Sequence, residues 1–192
     1  GIADLNQESA AAATSDGEVV RAFFAHHEGM TLVALANALF GECMVELRST
    51  APDQYQQTYG GDTLNTAVYM ARLASPAALR VAYVTALGDD PFSDEMVAGW
   101  RRGRIETDHV ARLPGRLPGL YVIAADGSGE RRFFYWRNAA AVRDMFRTPI
   151  ADRLPLLLRG SDLVYLGGNR VAILGQESRT RLIDLLRTAR GG

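Results

Sequence analysis

From Leu32 onward, short apolar runs alternate with stretches whose apolar residues recur at helical spacing. Residues 32–41 form an apolar run closed by Gly41, which predicts a buried strand. Residues 44–48 continue extended, and residues 53–59 alternate loosely with aromatics as a second short strand. Gly60-Gly61-Asp62-Thr63 then opens a helix. Leu64, Ala67, Val68 and Ala71 fall at i, i+3, i+4 and i+7 and give it one apolar stripe. It is expected to stop before Pro76. Residues 79–87 predict another buried strand, ended by Gly88. Asp90 is placed to cap the next helix, with Pro91 in its first position, Phe92, Met96 and Trp100 on one face, and Gly103 at its end. Strand, helix, strand, helix in this order predicts a parallel sheet with helical crossovers, an α/β fold.

The second half changes character. Residues 120–125 and 131–136 are two β-type runs joined by Asp126-Gly127-Ser128-Gly129, so they predict a hairpin. Residues 139–146 predict a short helix, residues 162–166 a buried strand, and residues 176–190 an amphipathic helix using Leu182, Leu185 and Leu186. Residues 1–30 stand apart. Their Ala/Ser/Thr/Asp-rich stretch and run of four alanines read as a poorly ordered arm, ahead of a natural start at Met30.

Composition narrows the function classes. The 192 residues are 47% hydrophobic and 22% charged, enough to bury the core of about one domain. A net charge of −1 gives no field for nucleic acid or an anionic membrane, and neither is expected as a partner. All 21 basic residues are arginine, which excludes Schiff-base and P-loop lysine chemistry within the chain. Cys43 is the single cysteine, and no Cys/His spacing matches a metal site, so no metal ligand is expected. No run approaches the roughly 18 apolar residues of a membrane span. The segment ahead of Ala34-Leu35-Ala36 lacks the basic cluster of a secretory signal, so a reducing, cytoplasmic setting is expected.

Three groups of residues could carry chemistry. Gly60 and Gly61 precede a helix start, where backbone N–H groups are open to a ligand and Asp62 and Asn65 can bond its hydroxyls; the bland alternative is a tight turn with an Asp cap. On the second hairpin strand Tyr135 and Arg137 share a face, with Tyr121 on the partner strand able to join them. Arg137 could clamp a carboxylate bidentately and Tyr135 could add a hydroxyl contact. The alternative is an exposed amphipathic hairpin with arginine for solubility. Glu42 and Glu46 follow the first parallel strand, where open α/β sheets place ligand groups, though each taken singly reads as a solvated loop carboxylate. Cys43 reads as a small packed thiol.

These segments match a family pattern. Ala38-Leu39-Phe40-Gly41-Glu42-Cys43-Met44-Val45-Glu46-Leu47, Tyr59-Gly60-Gly61-Asp62-Thr63-Leu64-Asn65 and Val84-Thr85-Ala86-Leu87-Gly88-Asp89-Asp90-Pro91 resemble a ribokinase/PfkB-type sugar kinase. Leu117-Pro118-Gly119-Leu120-Tyr121 and Gly129-Glu130-Arg131-Arg132-Phe133-Phe134-Tyr135-Trp136-Arg137 make it most similar to the 2-keto-3-deoxygluconate kinase branch. The resemblance implies a Rossmann-like αβα core across residues 31–192, with a small β lid from segments near 46–59 and 117–136. It implies ATP- and Mg²⁺-dependent phosphorylation of a sugar-acid hydroxyl. Gly60, Gly61, Asp62 and Asn65 would hold the substrate, Tyr121, Tyr135 and Arg137 would cover it from the lid, and Glu46 would take a sugar hydroxyl. Arg137 would meet the carboxylate.

Two departures accompany the match. Asn169-Arg170 after Gly167-Gly168 is unusual for the family pattern. No Gly-Ala-Gly-Asp sequence, the family's anion hole and catalytic Asp, occurs in the 192 residues. The expectation is therefore the substrate-binding and lid portion of a truncated kinase. It would lack a catalytic residue, be inactive alone, and hold neither ATP nor Mg²⁺ by itself. The alternatives are another PfkB-type kinase (fructokinase or ribokinase) or a non-catalytic module that binds ligand or forms homodimers through the β lid.

Overall fold

The computed structural model describes residues 38–73, 79–125, 130–167 and 174–190. The expected N-terminal arm, most of the first expected strand, the hairpin turn at 126–129 and Gly168-Asn169-Arg170 lie outside the described residues. In chain order the elements are β1 (Ala38–Phe40), β2 (Met44–Ala51), β3 (Gln54–Gly60), α1 (Asp62–Leu73), β4 (Val81–Leu87), α2 (Pro91–Arg102), β5 (Ile105–Glu106) and β6 (Val110–Arg112). Then follow β7 (Gly119–Ala125), β8 (Arg131–Trp136), a 3-10 helix (Ala141–Arg147), α3 (Ile150–Arg159), β9 (Val164–Leu166) and α4 (Gln176–Arg190).

The main sheet is parallel, in the order β5-β4-β1-β9, with β6 also pairing β4. All seven residues of β4 are buried. A parallel strand covered on both faces reads as a continuous apolar run, which is why β4 was visible as one. Its two faces serve different layers. Tyr83 packs edge-on against Trp100 of α2, with ring centroids 5.0 Å apart. Phe40, Val84 and Ala86 join Met145 and Phe146 of the 3-10 helix, Leu154 and Leu158 of α3 and Leu182 of α4 in one core cluster. The result is three layers, α/β/α.

Local signals set the helix ends and faces. The Ser93 amide donates to the Asp90 side chain at 3.1 Å, Pro91 occupies the first turn, and Gly103 ends α2. The expected stripe through Phe92 is corrected: Phe92 is 41% exposed, and the buried line runs Ser93, Met96, Trp100. Ser93 takes that place because its hydroxyl is satisfied there, accepting from the Gly88 amide and donating to Asp90. In α1 the buried residues are Thr63, Leu64, Ala67, Met70 and Ala71, with Val68 only half-buried. The short helix expected at 139–146 is a 3-10 helix. Three elements were not expected: β5 and β6, of two and three residues, and α3, which carries Pro155 inside it.

The second sheet has the order β3-β2-β7-β8. It consists of two antiparallel hairpins, β2–β3 and β7–β8, joined by a parallel pairing of β2 with β7. Asp53 turns the first hairpin with φ of 59°, a left-handed conformation that aspartate tolerates. The register aligns Thr58, Glu46, Tyr121 and Tyr135 in one row across all four strands. Flanking rows hold Gln56, Arg48, Ile123 and Phe133, and Gly60, Met44 and Gly119. Because strand side chains alternate, these rows share one face, while Tyr55, Leu120, Val122, Phe134 and Trp136 take the other. Among the described residues no helix is long and apolar enough to cross a membrane.

Candidate functional site

Gly41-Glu42-Cys43 carries the chain from the end of β1 into β2, and so from the main sheet into the second one. Glu42 sits at that junction, 1% exposed, and its Oε2 accepts from Arg137 Nη2 at 2.5 Å. Arg137 directly follows β8, 95 positions further along the chain. Its guanidinium lies over the Tyr135 ring, 5.8 Å from the centroid, and its Nε is buried without a hydrogen-bond partner. Arg137 therefore bridges the outermost strand of the second sheet and the end of the first strand of the main sheet.

A second carboxylate lies in the adjoining row. Glu46 is 8% exposed; its Oε1 accepts from Arg48 Nη2 at 3.0 Å and its Oε2 accepts from the Tyr121 hydroxyl. Burial, and then that hydrogen bond to an anion, push the Tyr121 phenol well above the usual tyrosine range. The Tyr121 and Tyr135 rings stack at 5.7 Å, and Phe133 extends the stack at 6.4 Å from Tyr135. At the sheet's other edge Tyr59 donates to Glu95 of α2; burial and that bond raise its pKa to about 12.

The glycine row makes room for both carboxylates. A Cβ on Gly60 would collide with the Tyr121 hydroxyl and lie 3.0 Å from Glu46 Oε2. A Cβ on Gly119 would come within 2.7 Å of Glu42 Oε1 and 3.0 Å of Met44 Cγ. The reading of Glu42 and Glu46 as solvated loop carboxylates is thus corrected. Each is buried, because an arginine or tyrosine from the β7–β8 hairpin reaches back to it.

The structure brings Gly60, Glu46, Tyr121, Tyr135 and Arg137 together on one face of the second sheet. Asp62 and Asn65 are exposed in the first turn of α1, just beyond buried Gly61. Asp62 is the first helical residue rather than the cap before it, and its Oδ1 accepts from the Thr63 amide at 2.8 Å. The Asn65 amide donates to the Gly61 carbonyl at 2.8 Å and closes the first turn. Cys43 is packed in the core. Arg48 escaped the sequence reading, which carries Gly119 and Phe133 only within motif strings; the strand register gives all three their place on this face. His109 is half-buried in the turn just before β6, with burial and then Arg153 lowering its pKa. Among the described residues no group of three or more His, Cys, Asp or Glu is arranged to hold a metal ion.

A three-layer parallel core with a four-stranded sheet springing from the end of its first strand is the architecture of ribokinase-type sugar kinases. The chain belongs to the pfkB family of carbohydrate kinases, whose family model matches residues 34–191. It is 50% identical over 153 residues to a 2-dehydro-3-deoxygluconokinase of Dickeya dadantii, covering 80% of this chain and 49% of the relative. It is 46% identical over 153 residues to the enzyme of that name from Escherichia coli, with the same coverage. The chain thus spans about half the length of the curated relatives it matches. Among solved structures it is similar to a 2-dehydro-3-deoxygluconokinase of Thermotoga maritima, with TM-score 0.64, 26% identity, and coverage of 80% of this chain and 47% of that one. A PfkB protein from a Polaromonas species shares the fold, with TM-score 0.66, 22% identity, and coverage of 81% and 53%.

Proposed function

We propose that this protein serves the ATP-dependent phosphorylation of a hydroxyl on the sugar acid 2-keto-3-deoxygluconate, the 2-dehydro-3-deoxygluconate of its relatives' names. The observation that carries this reading is Arg137: a partly buried guanidinium, stacked on Tyr135, with an unmatched Nε. A planar fork of N–H donors suits a carboxylate, and a neutral sugar has no use for it. In this reading Tyr121 and Tyr135 cover the sugar and exclude water, while Asp62 and Asn65 bond its hydroxyls. The backbone of Gly60 and Gly61 lets the sugar approach closely. Glu46 accepts from a sugar hydroxyl with the lone pairs that Tyr121 and Arg48 leave.

ATP and Mg²⁺ would supply the phosphoryl group and its charge neutralisation. The described residues offer neither a metal cluster nor a lysine, so no residue of this chain is assigned to either. The 192 residues contain no Gly-Ala-Gly-Asp sequence, and the reading therefore gives this chain the sugar-acid side of the reaction and no turnover of its own. A cytoplasmic setting belongs to the same reading, as does a homodimer formed through the outer face of the second sheet. Phe134 and Trp136 are 42% and 59% exposed there.

The test is a coupled ADP-release assay on the whole gene product with ATP, Mg²⁺ and 2-keto-3-deoxygluconate, D-fructose or D-ribose. The expected result is a kcat/KM for the sugar acid far above those for the neutral sugars, and no turnover by residues 1–192 alone. Equal or better turnover of a neutral sugar overturns the sugar-acid reading.

A further inference from the structure

We infer that Glu42 is a positioning residue for the substrate carboxylate and acts through Arg137; this rests on the sugar-acid reading above. Glu42 is 1% exposed, and a carboxylate so deeply buried needs a compensating cation. Arg137 Nη2, 2.5 Å away, supplies the charge. The reverse dependence matters more for function. Arg137 is long and flexible, and an arginine left to sample its rotamers must be ordered when substrate arrives, at a cost in affinity. Glu42 removes that freedom. It takes one of the three guanidinium nitrogens, draws the side chain across to the end of β1, and seats it over Tyr135. Nε stays buried and unmatched in that pose.

Glu42 also carries a negative charge that opposes an incoming carboxylate, so two effects compete. Positioning wins, because Glu42 meets the guanidinium at hydrogen-bond distance and its charge is balanced there. The pair presents little net charge, so selection for an acid comes from oriented N–H donors rather than from a bare cation. Gly119 belongs to the same device. A Cβ at that position would come within 2.7 Å of Glu42 Oε1 and displace the carboxylate.

The experiment compares Glu42→Gln, Gly119→Ala, Arg137→Ala and the Glu42→Gln/Arg137→Ala double variant in the whole gene product. It measures KM and kcat for 2-keto-3-deoxygluconate, and the same constants (or Ki) for D-fructose. Glu42→Gln is expected to raise the acid's KM about tenfold, with kcat within about twofold and the fructose constants unchanged. Gly119→Ala is expected to do the same, and the double variant to be no worse than Arg137→Ala. A wild-type acid KM in Glu42→Gln, an equal loss on both sugars, or losses that multiply in the double variant would each overturn the inference. So would loss of cooperative melting in both Glu42→Gln and Gly119→Ala, since the pair would then be a requirement for folding. If Arg137→Ala itself leaves the acid's KM unchanged, the failure lies with the sugar-acid reading instead.

Discussion

The Tyr121 hydroxyl donates to the buried Glu46 carboxylate directly above Gly60, so a glycine on β3 is what lets a residue of β7 bond one on β2. Gly60→Ala is expected to push the phenol away and destabilise the protein by about 1–3 kcal/mol. Tyr121→Phe removes one donor while Arg48 still serves Glu46, and about 1–3 kcal/mol is expected there too. The double variant should be less unstable than the two losses summed, because removing the hydroxyl also removes the clash. Urea denaturation of the four proteins checks this, and additive losses would break the proposed contact.

Alkaline pH offers a second test. Tyr59 titrates near 12 in the folded protein against 10.0 for the ordinary phenol, and Tyr121 is raised further. A raised folded pKa means the native state holds its proton longer, so the associated stability is full below pH 10 and falls as pH climbs towards 12 and beyond. Melting temperature is expected to drop across that window. The drop should be shallower in Tyr59→Phe, with phenolate absorbance reporting the late ionisation.

Arg137→Ala is expected to raise KM for 2-keto-3-deoxygluconate by about 100-fold in the whole gene product, while a neutral sugar is affected little. Steady-state kinetics on both sugars decide it. An equal loss on both would make Arg137 a structural residue only.

Trp136→Arg places a charge on the outer face of the second sheet, where Trp136 is 59% exposed. A homodimer through that face is expected to dissociate, seen as a halved mass in sedimentation with unchanged circular dichroism. An unchanged mass would argue against that interface.

In the core, Leu154→Ala is expected to cost about 2–5 kcal/mol, because Leu154 is fully buried between α3 and the main sheet. Denaturant unfolding measures it. A cost below about 1 kcal/mol would mean that α3 is not packed as described.

What could be read from the sequence follows from how local each signal is. β4, α2 with its Asp90 cap, and the β7–β8 hairpin each rest on residues within a few positions of one another. The sharing of one face by Tyr135 and Arg137 follows from strand alternation alone, while the place of Tyr121 beside them needs the hairpin register. The burial of Glu42 and Glu46 could not be read this way, because their partners lie 95 and 75 positions away. β5 and β6 are too short to show alternation, and Pro155 hid α3 behind an apparent helix breaker. Phe92 matched the helical spacing, yet Ser93 took the buried position because its hydroxyl had partners there.

The parallel pairing of β2 with β7 has a kinetic meaning. Its two strands are separated by β3, α1, β4, α2, β5 and β6, so closing it requires a long loop whose entropy is spent before the contact rewards it. The local hairpins and the β4–α2 region can form without it. The joined sheet is then the late event of folding and the early event of opening. Native-state hydrogen exchange should find the β2–β7 amides released at lower free energy than those of β4, even though both lie in regular strands.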